Sequence, residues 1–286
     1  MKKLIALILS ILLLSGCTAV YDGPRESAWV LTEQATTFYS TRFPELESAR
    51  IIYSYDSRGN QVLSQSYTND QLDWVYKSRY DDRGNLISRT AWYHAGLIPY
   101  PISRTRYTYD AQNRPLTTIY RNFFFVKTGS DIYTYDDELH TVHWDGTHDT
   151  QTKYLDENGN ILRTVTFSEP AGMEIETVYE YDALGRNIKI SNYYDGVLST
   201  TTELRYDEDG RLLESAIWGD GQLLRRDTRR YEENTVITRD LDNYKTIEYL
   251  RPDGQVERQE QYDAAGNLTS RSDYFYTEIQ IPAKEE

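Results

Sequence analysis

The sequence predicts an all-β protein: a long, curled antiparallel β-meander of tandem hairpin repeats, with a short N-terminal helix. Three observations lead to this fold class. A short turn motif recurs along most of the chain, and the residues between turns alternate with a period of two. Tyrosine supplies 26 residues, against 7 Phe and 5 Trp. Because tyrosine is enriched in strands and carries a hydroxyl that needs a partner, this composition suits a half-buried sheet.

The N-terminus has the organisation of a bacterial lipoprotein signal. Lys2 and Lys3 precede an apolar run over residues 4–14, which is shorter than the ~20 residues that a spanning helix needs. The run closes on the residues Leu14, Ser15, Gly16 and Cys17. This sequence resembles a lipobox, which implies recognition of Leu14, Ser15 and Gly16 by signal peptidase II and lipidation of Cys17. The alternative is an ordinary signal peptide with a chance cysteine.

These signals divide the chain into four parts and imply a location. We expect a cleaved signal peptide at 1–16, the lipidated cysteine with a linker and helix at 17–50, the repeat domain at 51–276 and a polar tail at 277–286. The lipid anchor implies the bacterial cell envelope as the location and the membrane as a partner. In two-membrane bacteria Asp at the position after the cysteine resembles a retention signal. Thr18 stands there, which implies the outer membrane.

The segment before the repeats predicts a short amphipathic helix over Arg25 to Thr41. Its apolar residues recur at helical spacing, and Pro24 lies near its start. They are Ala28, Leu31, Ala35, Phe38 and Tyr39. Such a helix would cover the first edge strand or plug the curled sheet. An extended tether is the alternative.

The recurring motif is Tyr-Asp-x-x-Gly-Asn/Arg, followed by an apolar residue. Asp with Gly three positions later is typical of a type I turn closed by a glycine bulge. In the five clear copies the turn residues are Asp56 and Gly59, Asp81 and Gly84, Asp182 and Gly185, Asp207 and Gly210, and Asp263 and Gly266. A further copy has Asn113 in place of the glycine, and asparagine also tolerates the left-handed conformation. Each Tyr-x-Tyr-Asp also sets two tyrosines on one face, where we expect stacking across strands.

A second kind of turn lies between successive motifs. Asp-Gly pairs favour two-residue type I′ hairpins. They occur at Asp145-Gly146, Asp195-Gly196, Asp220-Gly221 and Asp253-Gly254, with related pairs such as Asn69-Asp70 and Asp242-Asn243 at similar places. Each repeat is therefore two strands and two turns. Counting turns gives about 16 to 18 strands, more than the ~10 that an open sheet holds without curling.

The motif copies resemble the YD-repeat (Rhs) family, over roughly Ile51 to Tyr276. The large Rhs toxins and the teneurins of that family wind such repeats into a β-sheet shell, so the resemblance implies a repeat sheet here. The chain is far too short to enclose a cargo domain. It also has no toxin-like segment after the repeats and no Asp-Pro-x-Gly cleavage motif. Autoproteolysis and encapsulation are therefore not implied.

Charge and cysteine content exclude several classes of function. The formal net charge is −14, whereas nucleic-acid binding needs a basic face. A single cysteine excludes an internal disulfide. His140, His143 and His148 form the one histidine cluster. His140 and His143 fall on opposite strand faces, so a polar hairpin is favoured over zinc. Acidic turns such as Asp207-Gly210 lack the rest of a calcium loop. We predict no metal and no cofactor.

The sequence also predicts that the protein is not an enzyme and that its sheet binds a protein or glycan partner. No nucleophile elbow, phosphate loop or metalloprotease motif occurs, and the carboxylate pairs repeat with the fold. Partner docking is assigned to Phe123, Phe124, Phe125, Trp92 and Trp218. The alternative is core packing for the tryptophans, and burial on both faces under the helix for the three phenylalanines. One alternative function is an immunity protein that neutralises a secreted toxin at the membrane. The other is an envelope glycan-acting enzyme.

Overall fold

The structure, a computed structural model, describes residues 25–39, 48–94 and 99–282 of the 286-residue chain. Those residues form twenty β-strands and no helix. The strands are β1 (Arg25–Phe38), β2 (Ser48–Tyr55), β3 (Gln61–Thr68), β4 (Gln71–Tyr80), β5 (Leu86–Tyr93), β6 (Tyr100–Tyr109), β7 (Pro115–Asn122), β8 (Lys127–Asp136), β9 (Thr141–Asp145), β10 (Asp149–Leu155), β11 (Ile161–Ser168), β12 (Met173–Tyr181), β13 (Asn187–Tyr194), β14 (Val197–Tyr206), β15 (Leu212–Gly219), β16 (Gln222–Glu232), β17 (Thr235–Arg239), β18 (Lys245–Leu250), β19 (Val256–Tyr262) and β20 (Leu268–Pro282).

The strands form one closed antiparallel sheet. Each strand from β2 to β19 pairs with the strands before and after it in the chain, and β1 pairs with both β2 and β20. The predicted antiparallel meander of hairpins is therefore confirmed, and its curling goes on to full closure. Closure gives every strand a partner on both sides, which removes the exposed edges of an open meander.

The predicted N-terminal helix is wrong: residues Arg25–Phe38 form β1. This strand pairs with β20 from Arg25↔Pro282 to Phe38↔Ser270, with a register shift between Leu31 and Glu33. A bulge moves later side chains to the opposite face, so one strand can imitate helical spacing of its apolar residues. The edges of β2 and β20 supply the hydrogen bonds that decide the conformation. The sheet also extends beyond the expected repeat range, because β20 continues to Pro282.

The closed sheet has two rims that differ in their turns. We call the end that carries the turns after the even-numbered strands β2 to β18 the motif rim, and the end with the turns after the odd-numbered strands the second rim. β1 begins at the motif rim. The motif copies from Asp56 to Asp207 all lie on the motif rim, but the copy at Asp263 follows β19 and lies on the second rim.

Hydrogen bonds explain each fixed position of the motif. The Asp56 carboxylate accepts from the backbone N–H of Arg58 and Asn60, both at 2.9 Å, and from the Asn60 side chain at 3.0 Å. Gly59 N–H donates to the Asp56 carbonyl at 3.1 Å, with Gly59 at a φ of +82°. Where arginine takes the sixth position, its Nε donates instead, as from Arg186 to Asp182 at 2.7 Å. The sixth residue is therefore part of the turn.

The motif tyrosines link each repeat to the one before it through their hydroxyl groups. The hydroxyls donate to backbone carbonyls at 2.7 to 3.0 Å. The donors and acceptors are Tyr55 to Leu31, Tyr80 to Gln61, Tyr109 to Leu86, Tyr135 to Pro115, Tyr181 to Ile161, Tyr206 to Asn187, Tyr231 to Leu212 and Tyr276 to Val256. Each acceptor adjoins a bulge, where the ladder is interrupted and a carbonyl needs another donor. The connection between repeats is this hydroxyl ladder, in place of the ring stacking we expected.

The second turns divide into two kinds. Asn69-Asp70, Asp195-Gly196 and Asp220-Gly221 have positive φ at both central residues, as a type I′ turn requires. Gly254 instead donates its N–H to the Arg251 carbonyl at 2.9 Å, so Asp253 lies inside a motif-like turn. Asp145 ends β9 and is followed by three loop residues. The Asp-Gly pair alone does not distinguish these cases.

The described chain lacks a conventional apolar core. Its buried hydrophobic residues are Val75, Ala91, Ala216 and Val236, and no large side chain is fully buried. Small polar residues such as Ser64 and Ser191 are buried as well. A single-layer sheet gains little from core burial, so we infer that ladder hydrogen bonds, capped turns and the tyrosine hydroxyls carry much of its stability.

The glycines of the motif turns should differ in their tolerance of alanine. Gly59 and Gly185 have φ of +82° and +75°, so either substitution costs about 1 kcal/mol in backbone strain. A Cβ on Gly59 would lie 2.8 Å from Ile281 Cγ2, whereas a Cβ on Gly185 has no neighbour within 4 Å. Gly59→Ala should therefore lower the urea midpoint more than Gly185→Ala. Equal midpoints would contradict the contact between this turn and β20.

Candidate functional site: an aromatic row at the second rim

The three consecutive phenylalanines form the tip of the β7–β8 turn. The Asn122 side chain accepts from the N–H of Phe124 at 3.0 Å and of Val126 at 3.1 Å, which is the role that aspartate has in the motif. Phe125 N–H donates to the Asn122 carbonyl at 2.8 Å, and Phe125 has a φ of +60°. An aromatic residue therefore takes the glycine position, where it is strained. The missing glycine is the reason the sequence did not predict a turn here.

This turn tip is an exposed apolar group on the second rim. Phe123, Phe124 and Phe125 are 41%, 75% and 54% exposed. The adjacent Val126 is also exposed. Of the two interpretations of this run, burial on both faces is wrong. The exposed alternative agrees with the structure.

The tip continues into a row of aromatic rings that crosses the three preceding strands, β6, β5 and β4. Ring centroids lie 4.8 Å apart for Trp74 and Tyr93, 5.9 Å for Tyr93 and Tyr100, and 6.3 Å for Tyr100 and Phe123. Phe123 and Phe124 are 4.9 Å apart. We call Trp74, Tyr93, Tyr100, Phe123 and Phe124 the aromatic row. Its rings meet mostly edge to face, which is the favoured arrangement for aromatic pairs.

Strand register explains how residues far apart in sequence form this row. Trp74 is opposite Tyr93 across β4 and β5, and Tyr93 is opposite Tyr100 across β5 and β6. Directly opposed residues share a face, so these side chains line one surface. The ring–ring contacts found in the described chain all involve this row and its neighbour Tyr76. Elsewhere the motif tyrosines instead contact arginines, as Tyr206 does with Arg186 at 5.0 Å. The row is thus a local departure from the repeat.

The remaining predicted docking residues lie outside the row. Trp92 is next to Tyr93 in β5 and therefore projects from the opposite face, where Lys77 Nζ lies 5.6 Å from its ring centroid. Trp218 is in β15, on the opposite side of the closed sheet. Both are half-buried, and each has a buried indole N–H without a partner. The residues predicted for signal processing and lipidation, Leu14 to Cys17, lie outside the described residues.

Among the described residues, no group of three or more His, Cys, Asp or Glu side chains could hold a metal ion. His143 Nδ1 lies 3.1 Å from the Thr152 hydroxyl. Six of the turn carboxylates have lowered pKa values, namely Asp81, Asp110, Asp156, Asp182, Asp207 and Asp263. The side-chain amide of Asn160, together with its backbone N–H, lowers the pKa of Asp156, and Asn267 does the same for Asp263. A general acid requires the opposite shift.

Within residues 25–39, 48–94 and 99–282, no helix is long and apolar enough to cross a bilayer.

Comparisons with known proteins find structural likeness without close kinship. No family model and no curated protein matches the chain. A porin-like protein from Bacteroides uniformis shares 10% identity, with 86% of this chain and 96% of that chain covered and a TM-score of 0.43. A chain of the TcdB2-TccC3-Cdc42 complex shares 10% identity over 83% of this chain and 18% of its own, with a TM-score of 0.32. A DUF3836 family protein from Parabacteroides distasonis shares 14% identity over 35% of this chain and 94% of its own, with a TM-score of 0.23. Likeness at these TM-scores assigns no function.

Proposed function

We propose that this protein is a non-catalytic, lipid-anchored protein of the bacterial cell envelope, of the YD-repeat type, which binds a partner protein through the aromatic row. The observation that carries the proposal is the row itself, which crosses three strands and ends at the β7–β8 turn in the exposed Phe124. Exposed aromatic clusters of this kind are typical of binding hot spots. The lowered pKa values of Asp156 and Asp263 suit carboxylates that cap turns and not general acids.

The position of the row suits a partner that approaches from the side opposite the anchor. Cys17 lies eight residues before Arg25, where β1 begins, so the tether reaches at most ~29 Å. Arg25 is on the motif rim and the aromatic row is near the second rim. Strands of eight to ten residues separate the rims by roughly 25–34 Å. A lipid on Cys17 would therefore hold the motif rim nearer the membrane and leave the row accessible.

The chemistry of the turn tip favours a protein over a glycan. Phe123, Phe124, Phe125 and Val126 offer no side-chain hydrogen-bond donor or acceptor. Sugar binding combines stacking with several polar contacts, whereas an apolar tip fits an apolar pocket of a partner protein. The left-handed backbone strain at Phe125 is consistent with a side chain kept for its function although it destabilises the turn.

Replacing Phe124 with serine should remove most partner binding. Truncated hot-spot aromatics cost ~2 kcal/mol or more in binding free energy, which is about a thirtyfold loss of affinity. The measurement is a crosslinking pull-down of the lipidated protein from its own cells with mass spectrometry. Leu184→Ser is the matched control, because Leu184 is 76% exposed at a motif-rim turn and Phe124 is 75% exposed. We expect the control to retain the partner.

The identity of the captured molecule tests the proposal further. One stoichiometric protein that is retained by Leu184→Ser and lost by Phe124→Ser would support binding through the aromatic row. If that protein is a basic secreted toxin, the immunity function is favoured. A retained glycan without protein, or equal capture by the two variants, would contradict it. Phe125→Asn adds an independent check. Asparagine tolerates the left-handed conformation, so this variant should bind less while unfolding at an equal or higher temperature.

A further inference from the structure

The face of the sheet opposite the aromatic row carries five cationic side chains on β4, β6 and β7. We call Lys77, Arg79, Arg104, Arg106 and Arg121 the basic patch. The register of the sheet brings these residues close together on neighbouring strands. Arg104 is directly opposite Arg121 across β6 and β7, and Ser88 of β5 is opposite both Arg79 and Arg106. Lys77 and Arg104 likewise flank Thr90. Cross-strand neighbours lie about 5 Å apart at Cβ, so these charges are crowded.

None of the five cations forms an ion pair with a carboxylate of the described chain. Arg104 Nε donates to the Ser88 hydroxyl at 3.3 Å and Arg121 Nη1 donates to the Phe125 carbonyl at 2.9 Å. Most other arginines of this face have acidic partners. Arg205, for example, lies 3.0 Å from Glu214, whereas Arg239 forms no ion pair with a described residue. The patch is therefore a concentration of unpaired cations on a face where most arginines are paired.

Two buried donors beside the patch also lack partners. Arg121 Nε and Trp92 Nε1 are buried and make no hydrogen bond. Trp92 projects from the same face and contacts Lys77. Burial and the neighbouring guanidinium groups of Arg106, Arg79 and Arg121 lower the pKa of Arg104. Like charges opposite each other are destabilising, and an unpaired buried donor costs free energy. An anion bound among the guanidinium groups would relieve their mutual repulsion and accept hydrogen bonds from unpaired donors.

The geometry points to a binding site for a compact oxyanion, and we propose that the basic patch binds a phosphate ester group. Arginine recognises tetrahedral oxyanions through paired N–H donors, and the patch supplies four guanidinium groups without a competing carboxylate. A net charge of −14 repels a long polyanion such as nucleic acid, so short-range contacts must hold a small ligand. The patch lies on the face opposite the aromatic row and does not depend on the proposed function.

The test is calorimetric titration of the full lipidated chain in detergent micelles at low ionic strength. The probes are inorganic pyrophosphate and glycerol phosphate, a soluble analogue of a phospholipid headgroup. Saturable binding of either probe by the wild type is expected. Tighter binding of glycerol phosphate would favour a lipid headgroup as the source of the ester, and tighter binding of pyrophosphate would favour a soluble ligand.

Variants separate a built site from general charge attraction. Arg106 is exposed and makes no ion pair, so Arg106→Gln should fold while lowering probe affinity by about tenfold or more. Arg205→Gln removes the same charge from the same face outside the patch and should bind as the wild type does. Arg106→Gln should also unfold at an equal or higher temperature without ligand, because repulsion is relieved. Absence of saturable binding, or equal losses in the two variants, would overturn the proposal.

Discussion

Replacing Ala35 with proline should open the closed sheet and lower the free energy of unfolding by about 3 kcal/mol. Ala35 lies in the middle of β1, opposite Arg50 of β2 on one side and Asp273 of β20 on the other. Proline has no backbone N–H and cannot donate to either ladder. The β1–β2 pairing covers only Glu33 to Thr37, so a lost hydrogen bond at Ala35 disturbs most of the pairing that closes the sheet.

A matched proline variant tests whether closure is the cause. Ala28 pairs with Ile279 of β20 and lies outside the β1–β2 pairing. Ala28→Pro should therefore lower the urea midpoint less than Ala35→Pro. Opening would also expose the edges of β2 and β20, which pair readily with other copies, so Ala35→Pro should form dimers or larger species in sedimentation experiments. A monomeric Ala35→Pro with the wild-type midpoint would show that the sheet does not need closure.

The sheet should unfold cooperatively in alkali as its tyrosines ionise. Burial raises the pKa of the ladder tyrosines Tyr55, Tyr80, Tyr109, Tyr135 and Tyr276. Their hydroxyls donate to backbone carbonyls, and a tyrosinate cannot donate. Ionisation therefore removes the links between repeats. Because several links are lost over the same pH range, we expect a steep transition.

The sign of this dependence follows from the difference between folded and unfolded pKa values. The hydrogen bond that Tyr262 donates to Glu260, with burial, raises the pKa of Tyr262 to about 12. The unfolded value is about 10. A raised folded pKa stabilises the protein fully below pH ~10, and that contribution is lost as the pH rises toward ~12. Circular dichroism and tyrosinate absorbance should therefore change together in this window.

A single substitution provides the control for the alkaline transition. Glu260→Gln removes the carboxylate that accepts from Tyr262 at 2.7 Å and from Tyr249 at 2.9 Å. The pKa of Tyr262 should then fall toward its ordinary value, while the ladder tyrosines keep theirs. Tyrosines that titrate near pH 10 with an intact circular dichroism signal would contradict the role assigned to the hydroxyl ladder.

The sequence alone determined the local structure of the repeat. Asp56 and Gly59 imply their turn because the carboxylate caps the backbone N–H groups and only glycine accepts the left-handed conformation without strain. The period-two pattern implies strands, and together these signals predict an antiparallel meander. Such features are encoded within a few residues and can therefore be predicted from the sequence. The turn at Asn122–Val126 was not predicted, because phenylalanine stands where the motif has glycine.

Only the tertiary structure decided what depends on partners distant in sequence. Residues Arg25–Phe38 form a strand because they pair with the edges of both β2 and β20. Local propensity holds no information about these distant partners. Register alone brings Trp74, Tyr93 and Tyr100 into one row, and alternation sets the basic patch on the opposite face. A one-residue change of register or one bulge moves a side chain to the other face. Which residues share a surface was therefore settled by the pairing of the closed sheet.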